Sequence, residues 1–386
     1  MEELINRYAA RLVQAEIAPE GAPLMGFLDA DLVWNRDDPA CKVLSPVFDE
    51  LNINSLLFSR PAEPYYTIIE YLASVSSGVI FPKDCETRTF MHDLPVADEF
   101  TITAIARILK KRKIAIIPGH GIISFGTVSP EQAFITFSSV CFASFVKFFS
   151  DFLADSRAGV VKIRQKEVFE KVSSVLDKKE SIDQHGLMAG PFSDEGQIIQ
   201  AMDEAGKRTV ELDLVDSFFG NISCRFRDSI YISQTTSSLD ALPGCIDICP
   251  LDNSSSIVIT ASSELSAHRE AILRTGCRTV LHGHPRFAVI MSMDCEKTRC
   301  EFNKECFRSC PETRYIDNIP IVLGEVGTGK YGLCRTIPPA LEQNGAAIVY
   351  GHWVFTVGKE DFNGPVDRLL EIENLCKKKY FKKIDN

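Results

Sequence analysis

His282 and His284, separated by one residue, are the side chains of this chain whose type and spacing best fit metal chemistry. In an extended segment alternate side chains point the same way, so both imidazoles could bind one ion. The preceding Thr279-Val280-Leu281 favours a strand, and Pro285 cannot donate to a sheet ladder, which predicts that the strand ends there. A catalytic zinc site usually has three protein ligands and one open position, so the pair alone does not complete a site.

Length and composition set the broad class. A chain of 386 residues predicts two domains or one large one. The net charge of −10 and pI of about 5.3 disfavour a nucleic-acid-binding surface. There is no run of eighteen apolar residues, and the acidic start does not resemble a signal peptide, so we expect a cytoplasmic protein with no membrane partner. In that compartment the thirteen cysteines would be reduced and better suited to metal binding than to disulfides.

Apolar periodicity and turn signals predict a mixed α/β protein. Predicted helices cover residues 3–15, 65–72, 133–153, 165–179 and 263–275, with one more beginning at about Ser193. Predicted strands cover residues 56–58 and 113–117, with short strands up to Ile259 and another at 279–281. Residues 20–55 give no clear architecture. Gly186 to Pro191 is the predicted boundary between the halves.

The sequence also repeats itself, which predicts two copies of one α/β module. Residues 119–149 lie over 351–381 without a gap, 56–63 over 257–264, and 92–95 over 282–285. In that last match Leu94 stands opposite His284, and leucine cannot bind a metal. The first copy is therefore interpreted as a degenerate module that has lost its site.

Residues 193–386 resemble the class II aldolase/adducin family, whose members include L-fuculose-phosphate aldolase. Four motifs carry the resemblance, and they occur in the family's order. They are Gly220-Asn221, the Ser262-Ser263-Glu264 signature, His282-Gly283-His284-Pro285, and Gly351-His352 followed by Gly358.

The resemblance implies an α/β/α sandwich around a mainly antiparallel sheet in each module. It also implies Zn²⁺ or another divalent ion held by His282, His284 and His352. Aldol cleavage leaves an enediolate, whose charge a divalent cation stabilises, and a carboxylate must move the proton. Glu264 occupies the family's position for that acid/base. The alternative for Glu264 is a structural role in the first turn of a helix capped by serine.

Four further residues match family positions that bind a substrate phosphate: Asn221, Thr235, Ser262 and Ser263. The family often has glycine where this chain has Thr236, which leaves open whether the substrate carries a phosphate. His268 lies one helical turn after Glu264, and we expect it to pack beside the site rather than bind the metal.

Two other patterns are present in the sequence. Gly324 to Lys330 fits GxxxxGK, but Tyr331 follows where a Ser or Thr would meet magnesium, and Pro338-Pro339 leave little room for a regular helix. We interpret this segment as a glycine-rich active-site or interface loop. The second pattern is four cysteines that could hold a structural zinc ion or an iron–sulfur cluster, or remain thiols: Cys295, Cys300, Cys306 and Cys310.

These observations predict a degenerate module over residues 1–155, a linker or helix over 156–190, and a catalytic module over 191–386 with a cysteine-rich insertion at about 294–311. The predicted function is that of a metal-dependent class II aldolase-type lyase acting on a sugar phosphate or related hydroxy-carbonyl compound. The alternatives are an epimerase, dehydratase or decarboxylase using the same site, or a non-catalytic adducin-like binding protein. Because relatives of this kind are commonly fourfold rings, we expect a homodimer with four modules in which the first module helps to wall the site.

Overall fold

The computed structural model describes residues 2–176, 186–215, 219–252, 254–297, 300–302 and 305–385. The chain divides into two compact parts, Met1–Glu180 and Ser181–Asn386, called the first and second units below. Each unit is mixed α/β with a mainly antiparallel sheet, which confirms the predicted fold class. The predicted linker at 156–190 and the end of the helix predicted over 165–179 lie partly outside the described residues.

The first unit is built around a five-stranded sheet whose pairings are antiparallel, in the order β2-β1-β3-β7-β6, beside a two-stranded β4-β5 ribbon. Its helices are α1 Glu2–Gln14, α2 Cys41–Leu44, α3 Val47–Glu50, α4 Tyr65–Val75, α5 Cys85–Phe90, α6 Ile102–Leu109, α7 Pro130–Ala158 and α8 Ile163–Leu176. Its strands are β1 Leu24–Leu28, β2 Leu32–Trp34, β3 Ser55–Ser59, β4 Val79–Ile80, β5 Leu94–Pro95, β6 Ile114–Ile117 and β7 Gly121–Gly126.

Helix α7 is the core helix of the first unit. It begins with Pro130 in its first turn and ends at Gly159, whose φ of 67° is the left-handed conformation common after a helix. Its length and composition would allow it to cross a membrane, yet 78% of its apolar stretch is buried inside the protein. Its phenylalanines are mostly buried too, so they are accounted for as core and give no separate support to the predicted assembly.

The second unit contains an eight-stranded sheet in the order β10-β9-β8-β11-β15-β14-β13-β12. Its helices are α9 Glu195–Glu211, α10 Leu265–Thr275, α11 Arg286–Met293, α12 Leu333–Asn344 and α13 Asn363–Asp385. Its strands are β8 Asn221–Phe226, β9 Ser229–Ser233, β10 Ile246–Pro250, β11 Thr279–Gly283, β12 Arg314–Ile316, β13 Ile319–Val322, β14 Ala346–Val349 and β15 Val354–Gly358.

Helix α12 corrects one expectation, because Pro338 and Pro339 lie inside it. It connects β13 to β14, which run parallel. Leu333, Ile337 and Leu341 recur at helical spacing and are buried in the core of the second unit. Burial of this apolar face therefore offsets the hydrogen bonds that the two prolines cannot make.

The two units share a sheet register. Strand β3 pairs with β7 as β11 pairs with β15, residue for residue. The first residue of each inner strand also makes the same contact: the hydroxyl of Ser55 donates to the carbonyl of Ser129 at 2.8 Å, and that of Thr279 to the carbonyl of Asp361 at 2.7 Å. This equivalence extends the repeat expected from residues 119–149 and 351–381 to the neighbouring strands.

The same register shows that part of the predicted repeat is wrong. Leu94 lies in the β4-β5 ribbon, so it is not the counterpart of His284. The counterparts of His282, Gly283, His284 and Pro285 are Phe58, Ser59, Arg60 and Pro61. The ungapped sequence match missed them because the sheet position of a residue depends on strand pairing, not on local similarity.

Candidate active site

Strand β11 lies between β8 and β15 and positions the histidine pair. His282 is paired with Asn221 on one side and with Phe355 on the other. His284 follows the end of the strand, and Pro285 then leads into α11. Both imidazoles are almost fully buried, with 1% and 3% of each residue exposed, although histidine is usually at least partly exposed.

A carboxylate on another helix anchors the segment after His284. The side chain of Glu373 on α13 accepts hydrogen bonds from the backbone amides of Phe287 and Ala288, both at 2.9 Å, at the start of α11. These amides have no acceptor within their own helix. Desolvation raises the pKa of Glu373, despite the two amide donors.

Glu264 precedes the first residue of α10 but makes no side-chain capping bond to that helix. Its own amide donates to the hydroxyl of Ser262 at 3.3 Å. Its carboxylate atom Oε2 lies 2.6 Å from Nδ1 of His282, inside the protein. The contact does not meet the geometry of a regular hydrogen bond, so it is a close polar approach between the two groups. The carboxylate therefore faces the histidine pair rather than capping its helix.

The environment of Glu264 favours its ionised form. Burial by itself would raise the pKa of Glu264, but the nearby His282 and a hydrogen bond from Asn221 outweigh it and hold the pKa below its ordinary value. The second oxygen, Oε1, is buried and has no hydrogen-bond partner among the described residues. Glu264 thus has one oxygen held by the protein and one available to a ligand.

A row of buried polar side chains continues behind Glu264. The amide nitrogen of Asn221 donates to Oε2 of Glu264 at 2.7 Å. The amide oxygen of Asn221 makes a short contact with Nε2 of His268, and Nδ1 of His268 lies 2.7 Å from the hydroxyl of Ser223. His268 is therefore hydrogen-bonded on both nitrogens and does not face the histidine pair as a ligand.

Three of the imidazoles near this carboxylate, those of His268, His284 and His352, favour their neutral form near pH 7. Desolvation lowers the pKa of His268 and of His352 to about 3. It also lowers the pKa of His284 well below its ordinary value, with smaller contributions from His282 and His352. A neutral imidazole is the form that can donate a lone pair to a metal ion.

No sequence motif includes Trp353, yet its indole lies among the three histidines. Its ring centre is 4.4 Å from that of His282, 5.3 Å from that of His284 and 3.2 Å from that of His352. The rings of His284 and His352 are 6.4 Å apart, whereas those of His282 and His284 are 5.1 Å apart. The first unit has Gly121 at this strand position, and that difference between the repeats was the available signal.

The types of side chain at this site fit a divalent metal ion, although their donor atoms do not converge on one point in the structure. Across the part of the chain that the structure describes, no three His, Cys, Asp or Glu side chains are grouped closely enough to hold an ion. The predicted ligands are nevertheless three buried imidazoles beside one buried carboxylate, and burial keeps those of His284 and His352 neutral. Nε2 of His282 has no hydrogen-bond partner among the described residues. A buried polar atom without a partner is costly, and a metal ion would satisfy this one.

Of the four residues predicted to contact a substrate phosphate, Thr235, Ser262 and Ser263 lie on two neighbouring loops, whereas Asn221 is the first residue of β8 and is hydrogen-bonded to Glu264. The hydroxyl of Thr235 donates to the carbonyl of Ala261 at 3.2 Å and accepts from the amide of Ser263 at 3.2 Å, and Ser262 is buried beside them. Thr236 has a φ of 61°, so it takes the left-handed conformation that favours glycine. Thr236, which is exposed, therefore has the backbone conformation typical of glycine and still carries a side chain.

The cysteine-rich insertion gives no support to a second metal site. None of the described cysteines forms a disulfide. Within the described residues, which include all four cysteines of the insertion, no three His, Cys, Asp or Glu side chains are close enough together to hold an ion. Desolvation and the nearby thiols of Cys310, Cys300 and Cys295 raise the pKa of Cys306. The raised pKa favours the protonated thiol of Cys306.

The glycine-rich loop after β13 makes backbone hydrogen bonds mainly within itself. The amide of Glu325 donates to the carbonyl of Tyr331 at 2.8 Å, and the amide of Leu333 donates to the carbonyl of Glu325 at 2.9 Å. These amides are occupied within the loop, unlike those that cradle a phosphate in a nucleotide-binding loop. The interpretation as an active-site or interface loop stays a prediction.

Comparison with known proteins shows which family the second unit resembles. A family model described as the class II aldolase and adducin N-terminal domain matches residues 200–380. No match was found among curated proteins. L-fuculose-1-phosphate aldolase from Thermus thermophilus is 21% identical, with a TM-score of 0.40, 49% of this chain covered and 95% of that chain covered. YgbL from Klebsiella pneumoniae, described as a putative aldolase/epimerase/decarboxylase, is 16% identical, with a TM-score of 0.37 and coverages of 48% and 89%.

A sugar-phosphate aldolase from Thermotoga maritima is also similar, at 16% identity and a TM-score of 0.36, with 48% of this chain and 94% of that chain covered. The family model spans β8, β11 and β15, the strands that carry or flank the histidine pair. It also includes Glu264 and His352. Residues 200–380 therefore form a domain of the class II aldolase and adducin family.

Proposed function

We propose that the second unit is a metal-dependent lyase of the class II aldolase type, acting on a sugar phosphate or a related hydroxy-carbonyl compound. The observation that carries the proposal is the placement of Glu264. Its Oε2 lies 2.6 Å from Nδ1 of His282, while its Oε1 is buried and has no partner among the described residues. A purely structural carboxylate would be expected to have both buried oxygens satisfied.

Glu264 is the residue we assign to proton transfer. Its ionised form is favoured, so at neutral pH Oε1 can accept a proton from a substrate carbon or hydroxyl and return it in the reverse direction. Glu264 is buried, and the rings of Trp353 and Phe355 pack against His282, so electrostatic interactions within the site are stronger than they would be in water.

His282, His284 and His352 are the residues we propose to hold Zn²⁺ or another divalent ion. When bound, such an ion would stabilise the negative charge that develops beside a carbonyl group as a neighbouring bond is cleaved. The histidines are suited to this role because burial keeps His284 and His352 neutral.

Exchange of carbon-bound hydrogen tests the function without requiring the natural substrate. Full-length protein supplied with Zn²⁺ is incubated in D₂O with dihydroxyacetone phosphate, with dihydroxyacetone and with a panel of other hydroxy-carbonyl compounds, and exchange is followed by NMR. We expect exchange next to a carbonyl and slowing by about 10²–10⁴ in Glu264→Gln. Absence of exchange across the panel, or equal rates in the variant, would contradict the proposal. Comparing the first two compounds decides whether a phosphate is required.

The same experiment separates the alternatives. A lyase should also yield an aldehyde fragment, an epimerase an inverted centre, a dehydratase an unsaturated product and a decarboxylase carbon dioxide. We further propose that the first unit is a degenerate module of the same family and that the full chain forms a homodimer. Shared strand register supports the first of these proposals, and light scattering on the full chain tests the second.

A further inference from the structure

We propose that Asn221 is a positioning residue for Glu264. Asn221 is held by His268, which is in turn hydrogen-bonded to Ser223. This inference rests on the proposed acid/base role of Glu264 and assigns a purpose to the buried side chains behind it. The connected atoms run from the Ser223 hydroxyl through both ring nitrogens of His268 and both ends of the Asn221 amide to Oε2 of Glu264.

The direction of each hydrogen bond follows from chemistry. An ionised carboxylate can only accept, so Asn221 presents its NH₂ group to Glu264 and its carbonyl oxygen to His268. That oxygen needs a donor, which makes Nε2 the protonated nitrogen of His268. Nδ1 is then the acceptor, and the hydroxyl of Ser223 donates to it at 2.7 Å. The row therefore specifies one tautomer of His268 and one orientation of the Asn221 amide.

Burial explains why one orientation of the Asn221 amide and one tautomer of His268 are favoured. His268 has 0% of its surface exposed, and Asn221 has 7%. Reversing the amide would turn its oxygen towards the carboxylate and leave the N–H of His268 facing an N–H, a costly mismatch away from water. The orientation that remains fixes Oε2 of Glu264 and leaves Oε1 for the substrate.

The first unit supplies an internal comparison. The shared register places Leu24 and Gly26 of β1 at the positions of Asn221 and Ser223. The polar row is therefore missing where the counterparts of the histidine pair are Phe58 and Arg60. The first unit forms the same strand pairing without these polar side chains, so the sheet itself does not require them. Their presence in the second unit is therefore linked to the histidine pair beside them.

Two measurements test the inference, and the first needs no substrate. Full-length protein labelled with ¹⁵N in its histidine rings is studied by long-range ¹H–¹⁵N correlation at pH 7, and the His268 signals are identified by their loss in His268→Gln. We expect neutral His268 protonated on Nε2, with those signals displaced in Asn221→Leu. Protonation on Nδ1, a charged ring, or no response to Asn221→Leu would overturn the inference.

The second measurement compares two replacements of His268 in the exchange reaction. Gln can still donate an N–H to Asn221, whereas Leu cannot. We expect His268→Leu to lower kcat by about 10–100-fold, with KM and metal content unchanged, and His268→Gln to retain most of the rate. Ala271→Gly, one turn along α10, controls for lost stability because it loosens the helix without touching the row.

Equal effects of Leu and Gln, or an equal loss in Ala271→Gly at matched thermal stability, would show that His268 acts only as a structural residue. If wild-type protein exchanges no compound in the panel, the proposed function fails. The tautomer measurement then decides by itself whether the row fixes the Asn221 amide.

Discussion

Phe58 occupies in the first unit the sheet position that His282 occupies in the second. Each is the fourth residue of a strand that pairs with the strand following a Gly-His turn. Phe58 stacks on Phe100 with ring centres 5.1 Å apart, and Phe100 stacks on His120 at 5.0 Å. The first unit thus has an aromatic stack where the second has imidazoles beside a buried carboxylate.

The placement of Glu264 predicts a separation between metal binding and turnover. Glu264→Gln preserves the shape of the side chain but removes the charge that accepts the proton. We expect metal content and thermal stability close to wild type, with turnover lower by about 10²–10⁴. Glu270→Gln, at an exposed position on the same helix, serves as a control that should leave all three quantities unchanged. Near-normal turnover in Glu264→Gln would place proton transfer elsewhere.

Trp353 provides an optical report on the same site. The chain has two tryptophans, so Trp34→Phe leaves Trp353 as the remaining source of indole fluorescence. Because its ring lies 3.2–5.3 Å from three histidine rings, we expect Co²⁺ to quench this fluorescence in a saturable titration. His284→Ala in the same background should abolish the saturable phase. Identical titrations with and without His284 would show that the ion binds elsewhere.

Gly283 is predicted to be necessary between the two histidines. A Cβ atom there would lie 2.6 Å from a methyl group of Leu369 and 2.8 Å from the carbonyl oxygen of Leu214. Gly283→Ala should therefore shift β11 and lower the free energy of unfolding by about 1–3 kcal/mol, with weaker metal binding. Gly364→Ala is the matched control, because a Cβ there meets no atom within 4 Å. Chemical denaturation that ranks the two variants equally would refute the packing argument.

Glu373 should influence stability in a pH-dependent way. Glu373→Ala leaves the amides of Phe287 and Ala288 without their acceptor and should cost about 1–2 kcal/mol at neutral pH. The raised pKa means that the folded protein holds this proton more tightly than the unfolded chain does. Its contribution to stability is therefore greatest below the ordinary value of 4.5 and falls as pH rises towards the raised value.

Urea denaturation from pH 4 upwards measures this dependence. The profile of Glu373→Ala should be flatter than that of wild type in the window above pH 4.5. Glu371→Ala, exposed on the same helix and paired with Arg368 at 3.0 Å, should leave the slope unchanged. Parallel profiles for wild type and Glu373→Ala would contradict the assignment.

Much of the fold was predictable, and several candidate site residues could be proposed, because their signals are local. The apolar run of α7, its proline at the first position and the glycine after its end all lie within one stretch of sequence. The motif that contains His282 and His284 likewise follows a short β-favouring run. Local propensity and short motifs are sufficient for features of this kind.

The remainder depends on pairing between distant segments. The equivalence of Phe58 and His282 follows from the register of β3 on β7, which no ungapped match reveals. The hydrogen-bonded row requires Ser223 from β8 and His268 from α10, 45 residues apart in the chain. Nothing in the sequence around Trp353 indicates that its indole lies beside three imidazoles in the folded protein. Non-local contacts of this kind cannot be derived from periodicity.

The most direct test of the central claim is the metal content of the purified full-length chain after equilibration with Zn²⁺ and removal of excess ion. We predict about one ion per chain, the stoichiometry of a single catalytic zinc site. His284→Ala and His352→Ala should lose it. Arg60→Ala, at the equivalent sheet position in the first unit, should retain it. A wild-type chain without bound zinc, or variants of His284 and His352 that keep their full metal content, would contradict the account.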